Sequence, residues 1–451
     1  MNNKLLIKNG KVAFSGEDNL RSLDIETQNG VITALGNHLE GDNVIDASGC
    51  VILPGGIDPH VHFDEPGFTE REDFQHGSSA AASGGITTVI DMPCTSVPPV
   101  TNMKNLKEKY NQIKDKAIVD YGFYGGVSSQ SYEEGFEEQM EELASTVMGF
   151  KTYFLSGMDS FKSLSRYKFY NVIKKAKELN IPVLLHAEDA EFVNEATVAE
   201  KAKGKDWMNY YYSRPEIAEI LAVQDALNIV REVGADLHIV HLATARAAEL
   251  LKDYENVTGE TCPHYLAFSN DDFEKYGSAL KTAPVVKSKV NRSELWNLLC
   301  EGGLDFIASD HAPAPAIQKN TGSVWTDYSG IPGNPTLLPY LFSEGYKTKK
   351  ISLSRFLKLI SENAARRYGF FNRKGSITIG KDADLVIMEP DKKWTVLGEN
   401  LYSKGKITPF EGMQWEGFVK QTILRGQLVY DAEKGILAEP GYGKMLKRIN
   451  K

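Results

Sequence analysis

The chain has 451 residues, 42% of them hydrophobic, and its 51 basic and 60 acidic side chains give a formal net charge of −9. This length suits one large domain with a smaller one, and the composition is that of an ordinary globular protein. The acidic balance argues against nucleic acid or an anionic membrane as a partner. No apolar stretch approaches the roughly 18 residues of a membrane span, and no signal peptide is expected. The four cysteines are scattered, which predicts reduced thiols in a cytoplasmic protein.

Both ends of the chain contain short strand-like runs separated by tight turns. Near the N-terminus, Asn9-Gly10 and Asn29-Gly30 each separate two β-rich runs, and Asn-Gly in that setting predicts a hairpin. Near the C-terminus, Arg425-Gly426 separates a similar pair of runs. We therefore predict that residues 1–54 and 374–451 together form one small β-sandwich domain.

Between these ends, strand-like runs alternate with segments of helical periodicity such as 169–179 and 217–233. Eight β/α alternations over about 300 residues predict a (β/α)8 TIM barrel, here residues 55–373. The alternative is a doubly wound open sheet, although no glycine-rich dinucleotide fingerprint follows the first strand. The predicted barrel strands are 56–60, 87–92, 118–125, 147–152, 182–186, 237–241, 257–262 and 305–309.

Ligand-type side chains stand at the ends of five of these strands. His60 and His62 are two residues apart, so on a strand they point the same way. In a barrel enzyme the reactive groups lie at the carboxyl ends of the strands. A lone histidine there is more often a hydrogen-bonded core residue, but a set of six converging on one mouth predicts a metal site. The set is His60, His62, Lys151, His186, His241 and Asp310.

Lysine is the unusual member of this set, because an ammonium group has donors and no acceptor. One interpretation of Lys151 is a structural ion pair. The other is reaction with CO2, which gives a carbamate whose oxygens can bind metal. Three further histidines are not expected to bind metal. His238 is expected in the barrel wall, His311 behind Asp310, and His264 beside the site.

Several motifs resemble the cyclic amidohydrolases, in the order that this family has them and over nearly the whole chain. The resemblance implies two divalent ions, zinc first, with cobalt, manganese and iron left open. His60, His62 and Asp310 would hold one ion, His186 and His241 the other, and N6-carboxylated Lys151 would bridge them. Asp310 would also act as the catalytic base and then as the acid. The motifs are Gly55-Gly56-Ile57-Asp58-Pro59-His60-Val61-His62, Gly149-Phe150-Lys151, His186-Ala187-Glu188, Cys262-Pro263-His264-Tyr265 and Ser309-Asp310-His311-Ala312-Pro313.

Members of this family open different rings. Dihydroorotases place donors for a substrate carboxylate where this chain has Asp64, Cys94 and Ala314, so dihydroorotate is an improbable substrate. Hydantoinases (dihydropyrimidinases) carry a tyrosine four or five residues after the lysine, where Leu155 and Ser156 stand, and Tyr153 is not expected to replace it.

The run Gly149-Phe150-Lys151, the stretch Pro313-Ala314-Pro315 and the segments 406–410 and 422–426 also resemble the allantoinases, which implies a small cyclic ureide as the substrate. Asp64 would accept hydrogen bonds from its ureido arm, and the backbone near Ala283 and Gly330 would contact the ring. Arg71 departs from the tryptophan that allantoinases often have, which keeps a hydantoinase as the alternative. A non-catalytic scaffold is the least favoured reading, because no ligand is missing. Relatives suggest a homotetramer or a homodimer.

Overall fold

The computed structural model describes residues 4–448, so residues 1–3 and 449–451 of the predicted terminal domain lie outside the described range. Its strands form one nine-stranded sheet and two parallel sheets of six and three strands. In chain order the strands are β1 (Lys4–Val12), β2 (Arg21–Gln28), β3 (Val31–Gly36), β4 (Val44–Asp46), β5 (Val51–Pro54), β6 (Gly56–Val61), β7 (Ile86–Asp91), β8 (Asp120–Phe123), β9 (Gly125–Gly126), β10 (Phe150–Tyr153), β11 (Val183–His186), β12 (Leu237–Ile239), β13 (Val257–Thr261), β14 (Phe306–Ile307), β15 (Leu385–Thr395), β16 (Gln414–Leu424), β17 (Gln427–Asp431) and β18 (Gly435–Ile436).

The two parallel sheets are arcs of one closed barrel. One arc runs β6-β7-β8 and the other runs β9-β10-β11-β12-β13-β14. Strands β8 and β9 are consecutive parts of the third barrel strand, interrupted at Tyr124. A parallel bridge between Val61 and His311 joins the first strand to the segment after the last and closes the ring. All eight predicted barrel strands are present, which confirms the TIM barrel and excludes the open sheet.

Helices connect the barrel strands and cover them from outside. The predicted helical segments 169–179 and 217–233 correspond to α5 and α8 in the series below. The Ser165 side chain accepts from Lys168 N at the start of α5, and Gly234 ends α8 with φ 71°. The α-helices are α1 (Phe74–Ser83), α2 (Met103–Ile113), α3 (Ser129–Glu133), α4 (Phe136–Ala144), α5 (Arg166–Glu178), α6 (Ala190–Lys203), α7 (Trp207–Ser213), α8 (Glu216–Val233), α9 (Ala245–Glu249), α10 (Pro263–Ala267), α11 (Phe273–Tyr276), α12 (Lys289–Glu301), α13 (Ala316–Lys319), α14 (Asn334–Leu341), α15 (Leu353–Leu357) and α16 (Asn363–Arg367).

Strands from both chain ends form the nine-stranded sheet, as the sequence predicts. β5 lies at the junction, since it pairs with β1 in parallel and with β15 antiparallel. Ile7, Ile52 and Leu385 belong to a separate hydrophobic core within this sheet. Elsewhere the sheet packs on the barrel, where Thr422 Oγ1 donates to Ala82 O of α1 at 2.7 Å. The domain boundaries at 54/55 and 373/374 stay a prediction.

The hairpin predicted at Asn9-Gly10 is wrong. β1 runs through both residues, and the register of its pairing with β2 shifts between Ile7 and Gly10, which is a β-bulge. Asn9 takes the left-handed conformation with φ 63°. A Cβ at Gly10 would lie 2.4 Å from Ile52 Cδ1, so packing against β5 requires glycine here. Pairing with neighbouring strands therefore overrides the local turn signal.

The other two predicted turns are hairpins. Asn29 and Gly30 have φ values of 53° and 88° between β2 and β3, and Arg425-Gly426 joins β16 to β17. Within residues 4–448, no helix is long and apolar enough to cross a membrane.

A buried ionic cluster ties the terminal sheet to the barrel. Lys374 Nζ lies 2.8 Å from Asp120 Oδ2 at the start of β8 and 2.5 Å from Asp384 Oδ2 beside β15. Arg425 also pairs with Asp120. The side chains of Lys374, Asp120 and Asp384 are almost completely shielded from solvent. Removing Lys374 would leave Asp384 buried without its cation, while Asp120 would keep Arg425 as its partner.

We expect Lys374→Met to lower the free energy of unfolding by about 3–5 kcal/mol, because it breaks a buried ion cluster. Chemical denaturation measures this change. Lys358→Met, at an exposed lysine, is the control and should change stability by less than about 0.5 kcal/mol. Equal effects of the two substitutions would contradict the proposed role of Lys374.

Candidate metal centre

Three ligand-type side chains meet at the carboxyl end of β6. The Nε2 atoms of His60 and His62 lie 3.3 and 3.2 Å from the same atom, Asp310 Oδ1. Their ligand atoms all lie within 4.8 Å of one another, close enough for one metal ion to contact all three. The sequence-predicted half-site therefore forms from residues about 250 positions apart in the chain.

A second group lies beside the first. His186 ends β11 and His241 follows β12, and His186 Nδ1 lies 3.0 Å from His241 Nε2. The rings of His60 and His241 are 5.3 Å apart between centroids, so the two groups share one volume. Lys151 of β10 is fully buried, and its Nζ has no hydrogen-bond partner within residues 4–448. The structure thus brings all six predicted ligand residues together.

Buried carboxylates orient the ligand histidines. His60 Nδ1 donates to Glu260 Oε1 at 2.5 Å, which leaves the Nε2 lone pair facing Asp310. Glu260 also accepts from His238 Nε2 at 3.1 Å and from the backbone N–H of His241 at 3.3 Å. In the second group, His186 Nε2 donates to Glu188 Oε2 at 2.8 Å, and Arg214 pairs with the same carboxylate.

Most of these protonation states suit a cation. Burial would lower the pKa of His62, but Cys94 and Asp310 raise it to about 10, so an ion at His62 would have to displace a proton. Burial lowers the pKa of His60, His186 and His241, which keeps their imidazoles neutral and their lone pairs free. Burial alone would raise the pKa of Asp310, but the surrounding histidines hold it well below its usual range. Burial also lowers the pKa of Lys151 to about 8, so a larger share of its amine is neutral at physiological pH.

Unpaired atoms in this donor set indicate whether it suits a metal ion. His60 Nε2 and Lys151 Nζ are buried without a hydrogen-bond partner among the described residues, and an unpaired buried polar atom is costly. A metal ion at His60 Nε2 and a carbamate at Lys151 would remove both penalties. The residues therefore fit the group that the sequence implies.

The backbone is strained where two of the ligands stand. His241 and Asp310 have φ values of 40° and 49°, in the left-handed region that non-glycine residues rarely adopt. Asp64, two residues after His62, has φ 51°. Strain of this kind clusters at functional sites, where surrounding contacts hold it in place.

A cavity of about 610 Å³ opens above the ligands. Predicted residues His62, His186, His241, Asp310, Ala283 and Gly330 line it. Asp64 does not line the cavity, because it is completely buried. Neither of its carboxylate oxygens has a hydrogen-bond partner in the described chain. Its contact with a substrate stays a prediction.

The histidines excluded as ligands have other surroundings. His238 stacks on Phe306 in the barrel wall, with centroids 4.9 Å apart, and His311 Nε2 lies 3.1 Å from Glu72 Oε2. His264 is buried, lacks a hydrogen-bond partner among residues 4–448, and does not line the cavity.

Several residues of the site were missed by the sequence reasoning. Tyr153 lines the cavity, stacks on His186 with centroids 5.2 Å apart, and has its hydroxyl 3.0 Å from Cys94 Sγ. Glu260 was overlooked although an acidic residue inside a predicted barrel strand is itself a signal. The missed cavity and support residues are Glu188, Arg214, Glu260 and Tyr328, whereas Tyr153 was considered only as a replacement for the hydantoinase tyrosine.

Comparisons with known proteins agree with this geometry. Residues 51–429 match the family described as "Amidohydrolase family". The chain belongs to the amidohydrolase family. Among curated proteins of the family, it is 36% identical to an allantoinase of Rubrobacter xylanophilus, over 97% of this chain and 96% of that protein. It is 34% identical to an allantoinase of Salmonella gallinarum, over 97% of each chain.

Solved amidohydrolases have the same fold. An L-hydantoinase (dihydropyrimidinase) from Arthrobacter aurescens superposes with a TM-score of 0.93 at 30% identity, covering 98% of this chain and 99% of its own. A dihydropyrimidinase from Brevibacillus agri superposes with a TM-score of 0.90 at 31% identity, covering 99% and 98%. Membership of this family and the ligand groups together support a metal-dependent hydrolase.

We expect Glu260→Gln to lower metal affinity by about 10- to 100-fold, because the carboxylate that fixes the His60 tautomer is lost. Competition with a chelator measures this affinity. Asp305→Asn is the control, since Asp305 lies just before β14 and its side chain accepts from Gly259 N rather than from a candidate ligand. Unchanged affinity in Glu260→Gln would show that this contact does not support the metal centre.

Proposed function

We propose that this amidohydrolase is an allantoinase, which hydrolyses the ring amide of allantoin to give allantoate. The observation that supports the proposal is a group of six ligand-type side chains, four of which line one cavity, in a chain that is 34–36% identical to allantoinases over 97% of its length. A non-catalytic scaffold has no need of six convergent ligand side chains. The reaction would serve purine and allantoin degradation.

We propose that the site binds two divalent ions, with zinc as the first candidate. His60, His62 and Asp310 would hold one, and His186, His241 and Lys151 would hold the other, with Lys151 shared between them. When bound, such ions lower the pKa of water and polarise a carbonyl group.

Carboxylation would convert Lys151 from a donor to a ligand. The neutral amine attacks the carbon of CO2, an N–C bond forms, and one N–H proton leaves to water. The resulting carbamate carries a negative charge on two oxygens. This proposal is supported by the fully buried Nζ, which has no hydrogen-bond partner in the described range.

Asp310 is positioned to move protons. Its carboxylate faces the cavity and lies beside the Nε2 atoms of His60 and His62. As an anion it would accept a proton from the attacking water and return it to the departing ring nitrogen, acting as base and then as acid. The Arg214–Glu188 pair holds the ring of His186 fixed while this happens.

The substrate would be a small cyclic ureide. Ala283 and Gly330 line the cavity, and we propose that their backbone groups bind the ring. Asp64 remains a proposed acceptor for ureido N–H groups, although it lies buried and would need a local rearrangement to make direct contact. A homotetramer or homodimer and a cytoplasmic location also remain proposals.

A hydantoinase is the second candidate because part of the cavity wall is apolar. Phe68, Val97, Leu155 and Met158 line it, and such side chains suit a ring with an apolar substituent. Dihydroorotase is less favoured, since no group at Asp64, Cys94 or Ala314 could pair with a substrate carboxylate.

A side-by-side assay on metal-loaded protein separates these candidates. We expect kcat/KM for allantoin to exceed that for hydantoin, dihydrouracil and dihydroorotate by about 10-fold or more, since a site built to bind polar groups discriminates against analogues that lack them. Efficient opening of hydantoin or dihydrouracil with allantoin untouched would overturn the proposal.

A further inference from the structure

Arg71 lines the outer part of the cavity, in the loop between β6 and α1. It is half-buried, whereas the metal-binding side chains below it are almost fully buried. No proposed step of the reaction uses Arg71. An arginine at such a position is a charged group held against the space that the substrate enters.

Two aromatic rings clamp this guanidinium group. Its Cζ lies 4.4 Å from the centroid of Phe68 and 4.6 Å from that of Tyr328. Both aromatic residues also line the cavity. Cation–π contacts with two rings restrict the movement of the guanidinium group. The clamp therefore joins the loop after the first barrel strand to the loop after the last.

One nitrogen of the Arg71 guanidinium group donates a hydrogen bond within the protein, and the other two are available. Arg71 Nε donates to Gln318 Oε1 at 2.7 Å, and its two terminal nitrogens have no hydrogen-bond partner within residues 4–448. Arg214, another arginine of the cavity wall, is instead paired with Glu188. Arg71 thus presents preorganised N–H donors without an acceptor from the described chain.

We infer that Arg71 determines specificity by donating hydrogen bonds to the carbonyl oxygen of the substrate's exocyclic ureido arm. This inference rests on the proposed function. The scissile amide must lie against Asp310 at the base of the cavity, so the part of the substrate that reaches the clamp is the arm. A ring without a polar arm offers no acceptor to this guanidinium group.

The alternative role for Arg71 is structural, as a tie between the two loops. A structural tie would affect all substrates alike, whereas an arm-binding residue affects only those with an arm. Hydantoin has the ring of allantoin without the ureido group. The comparison of KM for allantoin with the inhibition constant of hydantoin as a competitor therefore distinguishes the two roles, even where hydantoin is turned over slowly.

The experiment compares wild-type holoenzyme with Arg71→Gln and Arg71→Lys. We expect Arg71→Gln to raise KM for allantoin about 10- to 100-fold, which is the range for a lost hydrogen bond to a charged group. The inhibition constant of hydantoin should change less than about 3-fold. Arg71→Lys should recover only part of the loss, since an ammonium group lacks the planar fork.

Arg366→Gln is the matched control, because Arg366 stacks on Phe371 at 3.6 Å and does not line the cavity. It should alter neither constant. Equal weakening of allantoin and hydantoin by Arg71→Gln, or an unchanged KM for allantoin, would overturn the inference. Wild-type enzyme that opens hydantoin and never allantoin would overturn the proposed function and this inference together, before any variant is compared.

Discussion

The site depends on one buried carboxylate, that of Glu260 near the carboxyl end of β13. It accepts from the ring of His60, the ring of His238 and the backbone of His241, and so connects both metal-binding groups through the barrel interior. Burial would raise its pKa, but His60 and His238 lower it to about 2. A buried anion of this kind is tolerable because its oxygens are bound, and those bonds orient the lone pairs that a metal requires.

Barrel closure supplies the second constraint. His62 N donates to His311 O at 2.8 Å, and Ser309 N donates to Asp58 Oδ1 at 3.0 Å. These bonds hold the first strand against the end of the last and so bring His62 next to Asp310. The left-handed backbone at Asp310 turns its carboxylate toward the histidines, at a cost that the surrounding bonds offset. Fold and site are therefore specified by the same contacts.

Much of this arrangement could be predicted from the sequence. Apolar runs identified all eight barrel strands, and the two-residue period with the strand-end rule selected the six candidate ligands that the structure brings together. Long-range packing could not be predicted from the sequence. Asn9-Gly10 forms a bulge because flanking strands pair on both sides of it, and Asp64 is buried although its position suggested a substrate contact. The clamp on Arg71 joins residues from opposite ends of the barrel sequence, which no local pattern reveals.

The central claim is that six side chains hold two divalent ions with carboxylated Lys151 between them. Metal content per chain, measured after reconstitution with zinc and bicarbonate, tests it most directly. We expect about two ions in the wild-type protein and at most about one in Lys151→Ala, because the shared ligand is lost. One ion or fewer in the wild-type protein, or two retained by Lys151→Ala, would contradict the account.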